Sequence, residues 1–276
     1  LWVKNQFDLG RPSLIGPAGS IRGVFFGPLW FWLLAVPYLI SGGHPLVMTL
    51  FNALIVYSGI VLAALIFKKH DQKLAWLILI LGFGSPALHG LANHAFSQHL
   101  LPILTLLFIY SLVKNKFVWA SLAASLMWHA EPPIAVFSVP LLIYRAIKQK
   151  ISLRVMTLAL LAFVIPFLPL LAFDLRHDWI QLRSLLDFLA GNTRGLQEIR
   201  PLIFWERLLD RPQKFWAVWQ QGLGLSLAIL APIMSFFTKS NRWLRLTWMY
   251  LATLMIIFIF NPHDLKLFYL DGVRLL

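Results

Sequence analysis

The sequence predicts an all-α fold, a polytopic bundle of membrane-crossing helices with helical loops on its outer side. Hydrophobic residues make up 59% of the 276 residues, charged residues make up only 13%, and the mean hydropathy is +0.74. This composition is typical of a chain whose main solvent is lipid. Several of the 12 Trp lie near the ends of apolar stretches, where an indole ring can sit at the level of the lipid headgroups.

Short basic clusters alternate with connections that carry almost no charge. The clusters hold twelve Lys or Arg and a single acid, and they are residues 68–73, 114–116, 145–154 and 239–245. By the positive-inside rule these clusters are cytoplasmic. The intervening connections face outward, and they are residues 41–45, 90–99 and 129–133. Because the clusters hold half of the 24 basic residues, the net charge of +13 indicates no nucleic-acid partner.

The apolar stretches predict about eight crossings, since a span needs roughly 17 to 25 apolar residues. The predicted crossings are 45–67, 74–89, 98–113, 117–130, 132–146, 152–173, 215–237 and 243–260. The fourth and fifth are short and meet at Glu131-Pro132-Pro133, so they form either two full helices or one re-entrant pair. With either alternative, the connections after residue 146 lie on the same side of the membrane. We expect all 276 residues to form one domain.

Residues 24–40 are about as long as a span, yet they contain Pro28 and Pro37. If this segment crosses the membrane, residues 1–23 are cytoplasmic. If it lies along the outer interface, residues 1–23 are outside. Charge and length leave both alternatives open. The chain begins with Leu rather than Met, and we expect the natural protein to extend beyond both of its ends.

The longest polar stretch, residues 174–214, follows an outward-going helix and is predicted to be an extracytoplasmic loop. It holds seven basic and six acidic residues. Apolar residues recur at helical spacing within it, which predicts an amphipathic helix at the membrane surface; they are Trp179, Leu182, Leu185, Leu186 and Leu189. A folded loop outside the membrane is where water-soluble chemistry could be built.

Four motifs resemble those of a known superfamily. They are Arg-Pro-Ser-Leu-Ile-Gly-Pro at 11–17, Gly-Pro-Leu-Trp-Phe-Trp-Leu-Leu at 27–34, Gly-Ser-Pro at 84–86 and Phe-Asp-Leu-Arg-His-Asp at 173–178. Together they are similar to motifs of the bacterial GT-C membrane glycosyltransferases. The most similar group is the protein-mannosyltransferase-like group, with the lipopolysaccharide-core sugar transferases and the aminoarabinose transferase. The resemblance covers nearly the whole chain.

The resemblance implies transfer of a sugar from a polyprenyl-phosphate carrier to a lipid, glycan or protein acceptor. The reaction would take place on the outer face of the cytoplasmic (inner) membrane, as part of building the cell envelope. It also implies that residues 1–40 belong to the first extracytoplasmic loop and that 24–40 lie at the interface. The superfamily's main catalytic acid would precede Leu1.

Glu131 is the first candidate for a catalytic carboxylate. An acid in an otherwise apolar outer hairpin is costly and usually faces a cavity or a partner. An inverting sugar transfer needs such a group to take the proton of the acceptor hydroxyl. His129, two residues earlier, is a candidate for substrate binding. The alternative interpretation is that Glu131 only reaches water at the end of its helix.

A second candidate cluster lies where the long sixth span leaves the membrane. Arg176 could hold a lipid phosphate through a bidentate contact. Asp174 or Asp178 could accept a proton or ligate a divalent cation, with His177 nearby as a ligand or a proton shuttle. A salt-bridge cluster at the headgroup boundary is the alternative interpretation.

Further candidates for substrate binding are Asn93 and His94 in the connection 90–99 and Arg194 in the outer loop. Ion pairing at the surface also explains the charges around Arg194, because they alternate in sign. No cofactor is indicated with certainty, and metal dependence stays open.

Three histidines near the connection 90–99 raise the question of a metal site. The spacing of His89, His94 and His99 does not put all three on one helical face. Capping of helix ends by Asn93, Ser97 and Gln98 is the simpler explanation for the polar residues here.

Other classes of function remain as alternatives. A lipid-linked polysaccharide polymerase or ligase would also combine many spans with a long outer loop, and a transporter could use polar residues within the membrane. Transporters often show inverted repeats near the midplane, whereas the polar residues here gather at the outer ends. The sequence has no Gly-rich phosphate loop, no Gly-x-Ser-x-Gly motif and no His-Glu-x-x-His motif.

Overall fold

The computed structural model describes residues 12–190, except for 20, 70–71, 85–88, 90–91, 93–94 and 137, together with the isolated residues 10, 209 and 213. In this part of the chain the regular structure is helical and contains no β-strand, as the sequence predicts. The predicted crossings 215–237 and 243–260 lie outside the described residues, as do Asn93, His94 and Arg194.

We number the α-helices in chain order. They are α1 (Leu29–Ser41), α2 (Pro45–Lys68), α3 (Gln72–Phe83), α4 (Leu101–Val113), α5 (Phe117–Ala130), α6 (Pro132–Ala135), α7 (Ser138–Gln149), α8 (Leu153–Val164), α9 (Leu168–Arg176) and α10 (Ile180–Leu189). A 3₁₀ turn, Ser97–Leu100, leads into α4, and a second one, Ile165–Phe167, joins α8 to α9.

Local sequence signals set several of these boundaries. Helix α2 begins with Pro45, which fits the first helical turn because its missing N–H needs no partner there. The hydroxyl of Ser152 accepts a hydrogen bond from the Val155 N–H and caps the start of α8. Helix α1 ends at Ser41 and is followed by Gly42, which has a left-handed φ of 62°. Glycine adopts this conformation at little energetic cost.

Helix α5 lies at the centre of the described bundle and packs against α1, α4, α7 and α8. Small side chains on α5 are almost fully buried, and they are Ala120, Ala123, Ala124, Ser125 and Ala130. Small residues allow helix backbones to approach closely, which is a common way to pack helices in membranes. The hydroxyl of Ser125 also donates to the Phe163 carbonyl of α8 at 2.6 Å.

Polar contacts mark the two ends of the bundle. At one end, which we call the acidic end, Ser97 and Gln98 contact the residues that finish α5, Ala130 and Glu131. At the other, the basic end, Arg145 of α7 contacts the connection between α4 and α5. Helices α4 and α5 are therefore antiparallel, and each runs from one end of the bundle to the other.

Helices α5 and α8 are parallel. Ser125 contacts Phe163, and one turn further along both helices the ring of His129 lies 5.9 Å from that of Phe167. Both helices therefore run toward the acidic end. Helix α9 continues in the same direction, so the Asp174 region lies beyond Phe167.

Two described segments are long and apolar enough to cross a membrane, Pro45–Lys68 and Leu153–Arg176. The share of buried residues in their most apolar windows is 44% for the first and only 6% for the second. Several other apolar helices are shorter than a membrane span, among them α1, α3 and α5. Helix α1, for example, has 13 residues. The finding is thus an all-helical chain with two helices of membrane-spanning length among the described residues.

Candidate functional site

Glu131 ends helix α5 at the acidic end, in the connection before α6. Its side chain is 1% exposed. One carboxylate oxygen, Oε2, accepts a hydrogen bond of 2.7 Å from the Gln98 side-chain amide. The other oxygen, Oε1, is buried and has no hydrogen-bond partner among the described residues. A buried acceptor without a partner is costly, so this oxygen is a candidate to meet a ligand.

Burial also changes the acidity of this carboxyl group. Loss of hydration raises the pKa of Glu131 from its ordinary value of 4.5 to about 8, while the hydrogen bond from Gln98 acts in the opposite direction. A carboxyl group with its pKa near neutrality can exchange a proton with a substrate hydroxyl.

His129 lies one residue before Ala130 on α5 and is 2% exposed. The ring of Phe167 lies on one side, with centroids 5.9 Å apart, and Gly27 lies on another. The Pro166 carbonyl faces the imidazole, but neither ring nitrogen makes a hydrogen bond of normal geometry within the described residues. His129 and Glu131 therefore place buried polar atoms that lack a described hydrogen-bond partner at the same end of α5.

Asp174 has a clear structural task at the start of α10. Its Oδ1 accepts from the Gln181 N–H at 2.8 Å, and its Oδ2 accepts from the Leu182 N–H at 3.2 Å. These are amide groups of the first turn of α10, which have no partner inside that helix. Asp174, 7% exposed, thus caps α10 from the preceding helix with both of its oxygens.

The rest of the predicted cluster is exposed at the turn between α9 and α10. His177 stacks on the ring of Phe173 at 4.1 Å and its Nδ1 contacts the Phe173 carbonyl at 2.8 Å. Arg176 and Asp178 are exposed, and Asp178 has a left-handed φ of 52°. The predicted salt bridge is not present among these residues, because the carboxylate of Asp174 contacts backbone amides instead.

A loop before α1 connects the two candidate clusters. Residues 16–19 and 24–26 pair with one another, for example through the Gly16 N–H and the Phe26 carbonyl at 2.7 Å. The Phe25 N–H donates a hydrogen bond to the side-chain oxygen of Gln181. The backbone N–H of Gln181 in turn donates to Asp174. Two residues further on, Gly27 lies against His129. The loop therefore contacts both clusters within three residues.

The polar residues of the connection before α4 differ from the prediction. Ser97 donates to the Ala130 carbonyl at 3.0 Å and Gln98 donates to Glu131, so both side chains bridge to α5 instead of capping a helix. Helix capping was therefore the wrong interpretation for these two residues. No local signal distinguishes a cap from a bridge of this kind, because the partner is 33 residues away.

The histidines of this region are separated where they are described. His89 contacts the Tyr57 hydroxyl, whereas His99 is buried between the rings of Trp30 and Phe96. Within the described ranges, no group of three or more His, Asp or Glu is placed to hold a metal ion. The proposed ligand or substrate roles of Asn93, His94 and Arg194 fall outside these ranges.

Comparison with protein-family models, with curated proteins and with solved structures finds no match to this chain. The site itself defines a helical protein with a buried carboxyl group and imidazole at one end of its bundle. The likeness to the GT-C superfamily stays a prediction from the sequence motifs.

Proposed function

We propose that this chain is a membrane glycosyltransferase of the GT-C type. It would transfer a sugar from a polyprenyl-phosphate donor to a lipid, glycan or protein acceptor on the outer face of the inner membrane. The multi-pass topology with about eight crossings is part of the same proposal.

The observation that carries the proposal is the state of the Glu131 side chain. Gln98 fixes one of its oxygens, and the other, in a buried setting, has no partner within the described part of the chain. A purely structural carboxylate would be expected to have both oxygens hydrogen-bonded, as those of Asp174 are. Glu131 is therefore our candidate for the general base, and Asp174 takes the role of a positioning residue.

In the proposed reaction, Oε1 of Glu131 accepts the proton of an acceptor hydroxyl. The acceptor oxygen then forms a bond to the anomeric carbon of the donor sugar. The bond between that carbon and the phosphate oxygen breaks, and the polyprenyl phosphate leaves with the electron pair. His129 is proposed to hydrogen-bond the sugar or the acceptor. Arg176 is proposed to hold the phosphate, as a guanidinium fits a phosphate with two donors.

The charge distribution supports the orientation of this proposal. At the basic end, the segments 114–116 and 145–154 carry Lys or Arg and no acid, whereas Glu131 and Asp174 lie at or beyond the acidic end. By the positive-inside rule the acidic end faces outward, which is the side where polyprenyl-linked sugars are used in the proposed reaction. The apolar surface of Leu153–Arg176, which is scarcely buried, fits contact with lipid.

The test is sugar transfer in membranes that contain the protein. Labelled polyprenyl-phosphate sugars and an extract of lipid and glycan acceptors would be supplied to wild type and to Glu131→Gln. We expect transfer by wild type and a loss of about 100-fold or more in the variant, as for removal of a general base.

Asp187→Asn is the matched control, because it makes the same change of carboxylate to amide at an exposed position of α10. Its transfer should equal that of wild type. Equal activity of wild type and Glu131→Gln would remove Glu131 from the mechanism. Absence of transfer from every donor by wild type would count against the enzyme itself and favour the polymerase, ligase or transporter alternatives.

A further inference from the structure

Arg145 is a buried cation at the basic end whose described partners are all uncharged. Its side chain is 6% exposed. Nη2 donates to the Leu112 carbonyl at 3.2 Å and to the Asn115 side-chain oxygen at 2.8 Å. The Gln149 side chain lies beside the guanidinium, and with its amide turned it accepts from Nε at 3.1 Å. Nη1 makes no hydrogen bond with the part of the chain that the structure describes.

These contacts do not neutralise the charge of the guanidinium. The Leu112 carbonyl belongs to the last turn of α4, and the end of a helix offers roughly half of one negative charge. The segments 114–116 and 145–154 contain no acid, and their basic residues are Lys114, Lys116, Arg145, Lys148, Lys150 and Arg154. A buried charge without a counter-charge is destabilising, so an anion from outside the described chain would be stabilised here.

The shape of the site favours one kind of anion. Nη1 carries two N–H groups, and the planar guanidinium can donate them to oxygens of a phosphate. Two features fix its position, namely the hydrogen bonds to the turn after α4 and the left-handed backbone of Asn115, with a φ of 57°. Lys114 and Lys116, on either side of Asn115, supply further positive charge at this end, and anionic headgroups attract such charge near a membrane surface.

We propose that Arg145, together with Lys114 and Lys116 beside Asn115, binds a phosphate group. Its source is either the headgroup of an anionic phospholipid in the leaflet at this end or free phosphate. This site is separate from the Glu131 end of the bundle, and it depends on neither the sugar nor the acceptor of the proposed reaction.

The experiment measures the unfolding temperature of the purified full chain in lipid nanodiscs. Discs of phosphatidylcholine alone are compared with discs that contain phosphatidylglycerol, and a third sample adds inorganic phosphate to phosphatidylcholine discs at matched ionic strength. We expect wild type to unfold about 5 °C higher with phosphatidylglycerol, because a ligand that binds only the folded state stabilises it. A rise with inorganic phosphate instead would identify free phosphate as the source.

Arg145→Gln should lose this rise, whereas Lys148→Gln should keep it. Lys148 is the matched control, since it lies three residues along α7, carries the same charge and is exposed. Arg145→Lys serves if the glutamine variant does not fold, and its rise should be less than half that of wild type because an ammonium lacks the two-pronged contact. Wild type that responds to neither anion, or variants at 145 and 148 that lose the response equally, would overturn the proposal.

Discussion

Gly27 lies so close to the imidazole of His129 that a Cβ atom at position 27 would overlap the ring. The two residues are 102 positions apart in the sequence. The contact joins the segment that leads into α1 to the last turn of α5. His129 is 2% exposed and also packs against Phe167, so movement of its ring away from a side chain at position 27 would disturb other packed groups.

We therefore predict that Gly27→Ala destabilises the fold. Forcing an extra methyl group into a filled space costs about 1–3 kcal/mol. Thermal unfolding in detergent micelles should show a lower unfolding temperature. In a protein that already carries His129→Ala, the clash is gone, so adding Gly27→Ala should lower the unfolding temperature much less than it does in wild type. Additive effects of the two changes would argue against the contact.

Glu131→Gln is predicted to separate stability from activity. The glutamine can keep a hydrogen bond with Gln98 and removes the cost of a buried negative charge. Its unfolding temperature at pH 9 should thus be equal to or above that of wild type, while sugar transfer falls. A variant that loses activity together with its folded fraction would instead indicate a structural role for the carboxylate.

The raised pKa of Glu131 predicts how stability depends on pH. Between its ordinary value of 4.5 and about 8, the folded protein holds a proton that the unfolded chain has lost. The free energy of unfolding should therefore fall as the pH rises through this window. A pH series of unfolding temperatures measures the slope, and Glu131→Gln should reduce it. His129, a nearby group that can also titrate, is present in both proteins and does not contribute to the difference.

The same group predicts the pH dependence of the proposed reaction. A general base acts in its charged form, so the rate of transfer should rise with pH and level off above about 8. The profile of kcat/KM in the membrane assay reports this value for the free enzyme. A profile that stays flat between pH 6 and pH 9 would contradict the assignment of Glu131 as the base.

Asp174 is predicted to act through α10. Asp174→Asn leaves only one oxygen for two backbone amides and should cost about 1 kcal/mol, as for loss of a helix cap. Hydrogen exchange should become faster at the amides of Gln181 and Leu182. Asp178→Asn is the control, because it is exposed and asparagine also tolerates its left-handed backbone. Slower sugar transfer by Asp174→Asn with unchanged exchange in α10 would restore a catalytic role for Asp174.

Hydropathy and charge predict the helical class and the order of the apolar segments correctly. Each of the first six predicted crossings contains helix, although the helix in 74–89 ends at Phe83 and 132–146 is divided between α6 and α7. The amphipathic pattern after Asp178 is the helix α10. These features depend on local composition and spacing. The number of crossings stays a prediction, because only Pro45–Lys68 and Leu153–Arg176 combine the length and composition of a span among the described helices.

The contacts of the candidate site could not be predicted in the same way. The sequence singles out Glu131, since an acid among apolar residues is conspicuous, but Gln98 carries no comparable signal. Asp174 could be a helix cap or a catalytic group, and the position of α10 relative to α9 decides which backbone amides its carboxylate can reach. Such relationships are set by tertiary packing, and one sequence alone does not report which distant residues meet.

The alanines of α5 set a limit on how this chain can change over evolutionary time. Ala120, Ala124 and Ala130 are fully buried where α5 meets its neighbours, so each accepts Gly or Ser more readily than any larger residue. Helix α8 has many exposed apolar side chains and tolerates exchange among Leu, Ile, Val and Met. We expect related chains to keep small residues along one helix while the apolar surface of the other drifts freely.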